Sequence, residues 1–186
     1  MKVFLILNGP SESPAYCFLS DSAVTNTGKP FYLPENKGVT RVSMTAAIRI
    51  ERLGKGIREK FAPRYYSEFA PALHFFLPEY SAQLKDSGLP DDPARNFDKS
   101  LFIGEFKPFD SESRMELKLN DSVVASFDFN RLNHSTDRII EEISVLNTLK
   151  MGDIIVPGLS DSVPLKTGDI LEVFADGEKA FQVRVK

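Results

Sequence analysis

The sequence predicts a β-rich α+β fold, and three observations carry that reading. Short apolar runs punctuated by Gly, Pro, Asn and Asp recur along most of the chain. Residues 42–50 alternate, with Val42, Met44, Ala46, Ile48 and Ile50 interleaved by Ser43, Thr45, Ala47 and Arg49. Asn120-Asp121 and Asp176-Gly177 each stand between apolar runs of strand length, a hairpin signal. The 186 residues suit a single domain that buries a core without staples. A net charge of -3 argues against a nucleic-acid partner, which needs a basic stripe. With Cys17 the only cysteine, an intrachain disulfide and a Cys-rich zinc site are both excluded.

Taken in chain order, Val3-Phe4-Leu5-Ile6-Leu7 is shorter than a signal-peptide core and stops at Asn8-Gly9-Pro10. No stretch reaches membrane-span length, so no membrane association and a cytoplasmic location are expected. Residues 3–7 and 16–19 are too short for helices and read as strands or extended arms. Residues 1–41 as a whole read as a turn-rich arm leading into a single domain, 1–186. Residues 42–50 form a strand ended by Leu53-Gly54-Lys55-Gly56. Residues 57–87 read as mostly helical, because Ile57, Phe61 and Tyr65 are spaced by four, with Pro63 and Pro71 as breaks. A second short helix is predicted from Pro78 to the stop at Ser87-Gly88.

Residues 88–98 form a loop and 100–106 a short strand interrupted at Gly104. Residues 115–119 and 123–127 pair across Asn120-Asp121. A helix follows, capped by Ser135 or Thr136, with Asp137 in its first turn and Ile139, Ile140, Ile143 and Leu146 on one face. Leu149-Lys150-Met151-Gly152-Asp153-Ile154 is echoed by Leu165-Lys166-Thr167-Gly168-Asp169-Ile170, a Gly turn feeding a strand each time. Residues 171–174 and 181–185 close the chain as a second hairpin.

Several of these segments, in this order, resemble the fumarylacetoacetate hydrolase family. Thr148-Leu149-Lys150-Met151-Gly152-Asp153-Ile154-Ile155 is similar to its T-L-x-P-G-D-V-I turn and strand, and Val156-Pro157-Gly158-Leu159-Ser160 stands where the family has T-G-T-P. Residues 165–173 resemble L-K-P-G-D-V-V-E-V, and Leu117-Lys118-Leu119-Asn120-Asp121 resembles L-x-V-N-G-E. Phe97-Asp98 with Gly104 resembles K-S-F-D followed by L-G-P. Ser22-Ala23-Val24, Gly28-Lys29-Pro30 and Leu33-Pro34 resemble S-A-L, G-D-P and L-P. The likeness runs over roughly residues 18–186, with no single decisive motif. It implies a roll of mixed strands around a buried site, and a homodimer. It also implies chemistry on acylpyruvate-like keto acids by a hydrolase, isomerase, hydratase or decarboxylase.

The family holds Mg²⁺ or Mn²⁺ on a Glu-x-Glu strand plus an Asp, since hard dications want several oxygen ligands. The resemblance puts the two Glu positions on Ser43 and Thr45, and the Asp near Ala70-Pro71-Ala72, with Glu68 the nearest carboxylate. The family's pocket Lys falls on Arg95 and the Thr of T-G-T on Leu159. Residues 39–50 contain no Asp or Glu, and residues 1–24 offer Glu12 but no His for the His–Glu pair of small members. The expectation is therefore a protein of the acylpyruvase/2-hydroxyhepta-2,4-diene-1,7-dioate isomerase group with no metal ligands and no cofactor, catalytically diverged or a pseudoenzyme. Mg²⁺ or Mn²⁺ returns only if that metal-loss reading is wrong.

Two alternatives stand beside it. One is an active enzyme on a small keto or diketo acid. There Ser43, Thr45, Arg49, Lys55, Tyr66 and Arg95 bind substrate, and Glu68 or Asp98 is the base. The other is a non-catalytic structural or ligand-binding module. Cys17 reads as buried and inert, and His74 as a core or edge histidine with one hydrogen bond. On a helix, Glu68 and His74, six residues apart, would face different ways.

Overall fold

The computed structural model describes residues 1–7, 13–26 and 28–186. The predicted turn at Asn8-Gly9-Pro10, together with Glu12 and Thr27, lies outside the described residues. No helix among those described is long and apolar enough to cross a membrane. The α+β class holds, and strands dominate.

The larger sheet is built from β1 (Val3–Leu7), β2 (Ala15–Leu19), β3 (Val24–Asn26), β4 (Arg41–Arg49), β5 (Glu68–Phe76), β6 (Leu101–Ile103) and a later strand, Ile154–Val156. Two short strands, Lys107–Pro108 (β7) and Val163–Pro164, pair onto β5 and β4. The smaller sheet contains β8 (Arg114–Leu119) and β9 (Ser122–Asp128), followed along the chain by β10 (Ile154–Val156) and β11 (Val163–Pro164) of the larger sheet. It is completed by β12 (Ile170–Ala175) and β13 (Glu178–Arg184). Two α-helices, α1 (Pro78–Asp86) and α2 (Thr136–Leu146), complete the fold.

Strand order in the larger sheet is β2-β1-β10-β4-β5-β6-β3. Laid flat, β2 and β3 would stand six spacings apart, about 29 Å. Only residues 20–23 join them, however, and an extended chain covers at most about 18 Å from Leu19 to Val24. The sheet must therefore curl until its edges nearly meet. Ser20, just after β2, donates its backbone N–H to Asn96 Oδ1 at 2.8 Å, and Lys99 N–H reaches Ser22 C=O at 3.2 Å, which holds the curl shut.

Curling gives the sheet two unequal faces. Its outer face carries Val42, Met44, Ala46 and Ile48 from β4 with Phe69, Leu73 and Phe75 from β5. These pack against Met115, Leu117, Val173 and Phe181 of the smaller sheet and Ile139, Ile140 and Ile143 of α2, forming the main core. The inner face carries Val3, Leu5, Ala47, Ala70, Ala72, Leu101, Ile103, Ile154 and Val156, a second and smaller cluster.

Local chemistry explains most elements. The smaller sheet, ordered β13-β12-β8-β9, turns at Asn120-Asp121 (φ 49° and 70°) and Asp176-Gly177 (φ 54° and 84°), the doubly positive geometry of tight hairpins. In the echoed segments, Asp153 and Asp169 each accept a hydrogen bond at 2.9 Å from the backbone N–H three residues back, at Lys150 and Lys166, while Gly152 and Gly168 take positive φ. Ser135 caps α2, accepting from the Arg138 N–H at 3.1 Å. Val3–Leu7 is a strand, as one of the two readings had it, and lies between β2 and β10 inside the sheet.

Two expectations about the helices fail. Leu146, read onto the apolar face of α2, is 75% exposed at the helix end. The other concerns residues 57–87. The helical reading of residues 57–87 holds only for the 3-10 segment Glu59–Arg64 and for α1, because residues 68–76 are a strand. The four-residue spacing of Ile57, Phe61 and Tyr65 covers the 3-10 segment and its flanks and does not mark a helix through residues 68–76. Pro71 is tolerated because β6 pairs with residues 72–74 and β7 with residues 68–69, leaving a gap on that edge of β5.

Candidate functional site

Pairing of β4 with β5 positions the residues to which the resemblance points. In the antiparallel register Ser43 stands opposite His74, Thr45 opposite Ala72, Ala47 opposite Ala70, and Arg49 follows opposite Glu68. All eight share the inner face, because side chains on a strand repeat every two residues. Glu68 and His74 thus face the same way after all. Six residues of strand still separate them by about 20 Å, too far to share one ion.

The site is closed and nearly uncharged at its centre. Ser43 is 6% exposed and Thr45 fully buried. Thr45 Oγ1 donates to Gly158 C=O at 2.5 Å, so its proton is committed to the loop where Leu159 packs against the inner cluster. His74 is 1% exposed. Its Nε2 lies 3.1 Å from the Arg95 carbonyl oxygen and therefore carries the donated proton, leaving Nδ1 a bare acceptor, buried and unpartnered. Burial lowers the His74 pKa to about 4, and the neighbouring Arg95 charge adds to the fall while the hydrogen bond opposes it.

The charged candidates sit at the periphery. Arg95 lies over the Phe76 ring at 4.2 Å, 3.4 Å from Asp91 Oδ2. At the other end of the face, Arg49 pairs with Glu68 and stacks over Phe106 at 4.3 Å. Tyr66 is on the outer side, in the main core, and donates its hydroxyl to Asp137 Oδ1 at 3.0 Å. Asp98 and Lys55 are exposed on loops. The structure thus brings Ser43 and Thr45 together but does not bring Arg49, Tyr66 and Arg95 to one point, so they cannot clamp one small acid. Cys17 packs against the inner cluster, and burial pushes its thiol up to about 11.

Sequence reasoning missed His74 as part of this face, since a helical reading of 57–87 hides the pairing with Ser43. A signal was present: Ala70, Ala72 and His74 alternate with Phe69, Leu73 and Phe75.

The donor set does not fit a hard dication. At the centre it offers two hydroxyls, one of them committed, a methyl group and an imidazole, against the several anionic oxygens such an ion needs. Glu68 on this face is about 13 Å along the strand from Ala72 and neutralised by Arg49. Among the described residues, no three His, Cys, Asp or Glu side chains converge as metal ligands.

Comparison with known proteins places this scaffold. Residues 8–186 match the fumarylacetoacetate (FAA) hydrolase C-terminal model, and the chain belongs to that family. It is 24% identical over 173 residues to oxaloacetate tautomerase YcgM of Escherichia coli, covering 89% of this chain and 79% of that one. It is 25% identical over 181 residues to the mitochondrial oxaloacetate tautomerase FAHD1 of Mus musculus, covering 94% and 82%. The crystal structure of fumarylpyruvate hydrolase from Pseudomonas aeruginosa, in complex with Mn²⁺ and pyruvate, superposes with a TM-score of 0.91 at 18% identity, covering 100% of this chain and 89% of that one.

Proposed function

We propose that this chain is a fumarylacetoacetate hydrolase-family protein of the acylpyruvase and hydroxyheptadienedioate isomerase group that has lost the family's divalent-metal chemistry and is catalytically diverged or inactive. The observation that carries the reading is the face formed by Ser43, Thr45, Ala72 and His74, flanked by Ala47 and Ala70. Methyl groups and neutral polar atoms there give a divalent cation no counter-charge, and desolvating the ion would be uncompensated. Calorimetric titration with Mg²⁺ and Mn²⁺ is expected to show no saturable binding below millimolar concentrations, and oxaloacetate and acylpyruvates no metal-dependent turnover. Micromolar Mn²⁺ affinity would remove the proposal. A homodimer comes with the family resemblance, and a cytoplasmic location rests on the lack of a recognisable targeting segment in the sequence; sedimentation showing a monomer at micromolar concentration would remove the first.

One observation favours a second reading, an active metal-free enzyme on a small keto acid. His74 Nδ1 is a buried acceptor without a partner, on the residue paired opposite Ser43, on the face to which the family resemblance points. Under this reading a keto-acid screen gives turnover that His74→Gln abolishes and that Glu68→Gln and Asp98→Asn leave unchanged.

A further inference from the structure

Away from the inner face, a groove on the smaller sheet is lined by cationic side chains and, among the described residues, by no acidic side chain. It runs between residues 28–30 and the end of β13, has a volume of about 290 Å³, and is lined by Gly28, Lys29, Pro30, Gln182, Arg184 and Lys186. Gln182, Arg184 and Lys186 fall on one face by the two-residue strand period.

The wall opposite is pinned. Phe31 N–H donates to Arg184 C=O at 2.9 Å, Leu33 N–H to Lys186 C=O at 3.0 Å, and Lys186 N–H to Phe31 C=O at 2.8 Å. These bonds hold Lys29 beside the strand, so the groove does not have to be assembled by its ligand. The groove is open at its Gly28 end, where a Cβ would meet nothing within 4 Å.

The polar groups are also committed in sign. Gln182 Oε1 already accepts from Lys179 Nζ at 2.8 Å, and that ammonium is in turn paired with Glu172. Its amide nitrogen is thereby left as a donor for the groove. Among the described residues, Lys29, Arg184 and Lys186 have no ion-pair partner. Three cationic side chains that line one space give it a positive local potential in a protein of net charge -3, which favours a polyvalent anion there.

We propose that this groove is a binding site for a polyvalent phosphoryl anion, a diphosphate or the diphosphate end of a larger molecule. Arg184 presents a planar fork for two oxygens of one phosphate. Lys29 and Lys186 act as point charges on the second, and the Gln182 amide supplies a further donor. The volume exceeds what a single carboxylate fills.

The test is calorimetric titration of the whole protein with pyrophosphate at low, fixed ionic strength. Saturable one-site binding is expected, weakened at least tenfold in Arg184→Ala and in Lys29→Ala, weakening further with added salt, and unchanged in Lys60→Ala on another surface. Arg184 and Lys29 are exposed, so both variants should keep the wild-type unfolding midpoint; Arg184→Gln replaces Arg184→Ala if they do not. Heats no larger than those of chloride at matched ionic strength would overturn the proposal, as would equal weakening in Lys60→Ala. Citrate binding more tightly than pyrophosphate would overturn the phosphoryl assignment. None of these outcomes depends on whether the inner face binds metal.

Discussion

His74 is the residue with the most at stake in its protonation. Its pKa stands near 4 in the folded chain, below the ordinary 6.5, so the unfolded chain takes up the proton first as pH falls. The stabilisation from keeping this ring neutral is complete above about 6.5 and declines as pH drops through the window down to 4, by on the order of 3 kcal/mol. Urea unfolding between pH 7.5 and pH 4.5 should therefore lose more stability in the wild type than in His74→Gln; parallel profiles would show that His74 does not titrate as placed. Gly104 is a second sensitive position. A Cβ there would stand 3.0 Å from Phe181 Cδ1 and 3.1 Å from Pro71 C=O, one a ring buried in the core and the other backbone. Gly104→Ala is expected to destabilise the protein by about 1–3 kcal/mol, the usual cost of overpacking, read as a lower denaturant midpoint with unchanged slope.

At the scale of elements, β5 decides how the site is understood. The strand was obscured in the sequence because the four-residue spacing of Ile57, Phe61 and Tyr65 runs on to Phe69, and because Pro71 argues against a central strand. Both obstacles disappear once β6 and β7 are seen to leave Pro71 in a gap. The pairing of β4 with β5 makes a specific forecast. The triple variant Ser43→Glu, Thr45→Glu, Ala72→Asp places three carboxylates side by side in an apolar interior. It should unfold at lower temperature than the wild type. Millimolar Mn²⁺ should raise the midpoint of the variant and leave the wild type unmoved, because an ion bound only by the folded state stabilises it by mass action. Equal responses of the two proteins would mean that these positions do not converge.

For the whole molecule, the consequence of the curl is that the first strands are structural. β1 is paired on both edges, and Val3, Phe4 and Leu5 are fully buried between the two cores. Deleting residues 1–19 should therefore abolish cooperative unfolding, by circular dichroism and by calorimetry. A detachable arm would come off with the fold intact. The Lys2 backbone N–H and ammonium both reach Asp153, at 2.8 and 2.6 Å, tying the chain start to the first of the echoed turns.

Much of this was legible one segment at a time. The strand at 42–50, both hairpins, the cap on α2 and the echoed Gly-Asp turns follow from interactions among neighbours in the chain, and the colinear motifs were enough to point to the family. That residues 43 and 45 are Ser and Thr, where the resemblance implies carboxylates, was visible for the same reason, since identity at a position needs no structure. The pairing of Ser43 with His74, the filling of the inner face by methyl groups from several strands, and the separation of Tyr66 from Arg49 and Arg95 were not visible. Those depend on contacts between residues far apart in the chain, which are set only when the sheet closes and its register is locked by the burial of both faces.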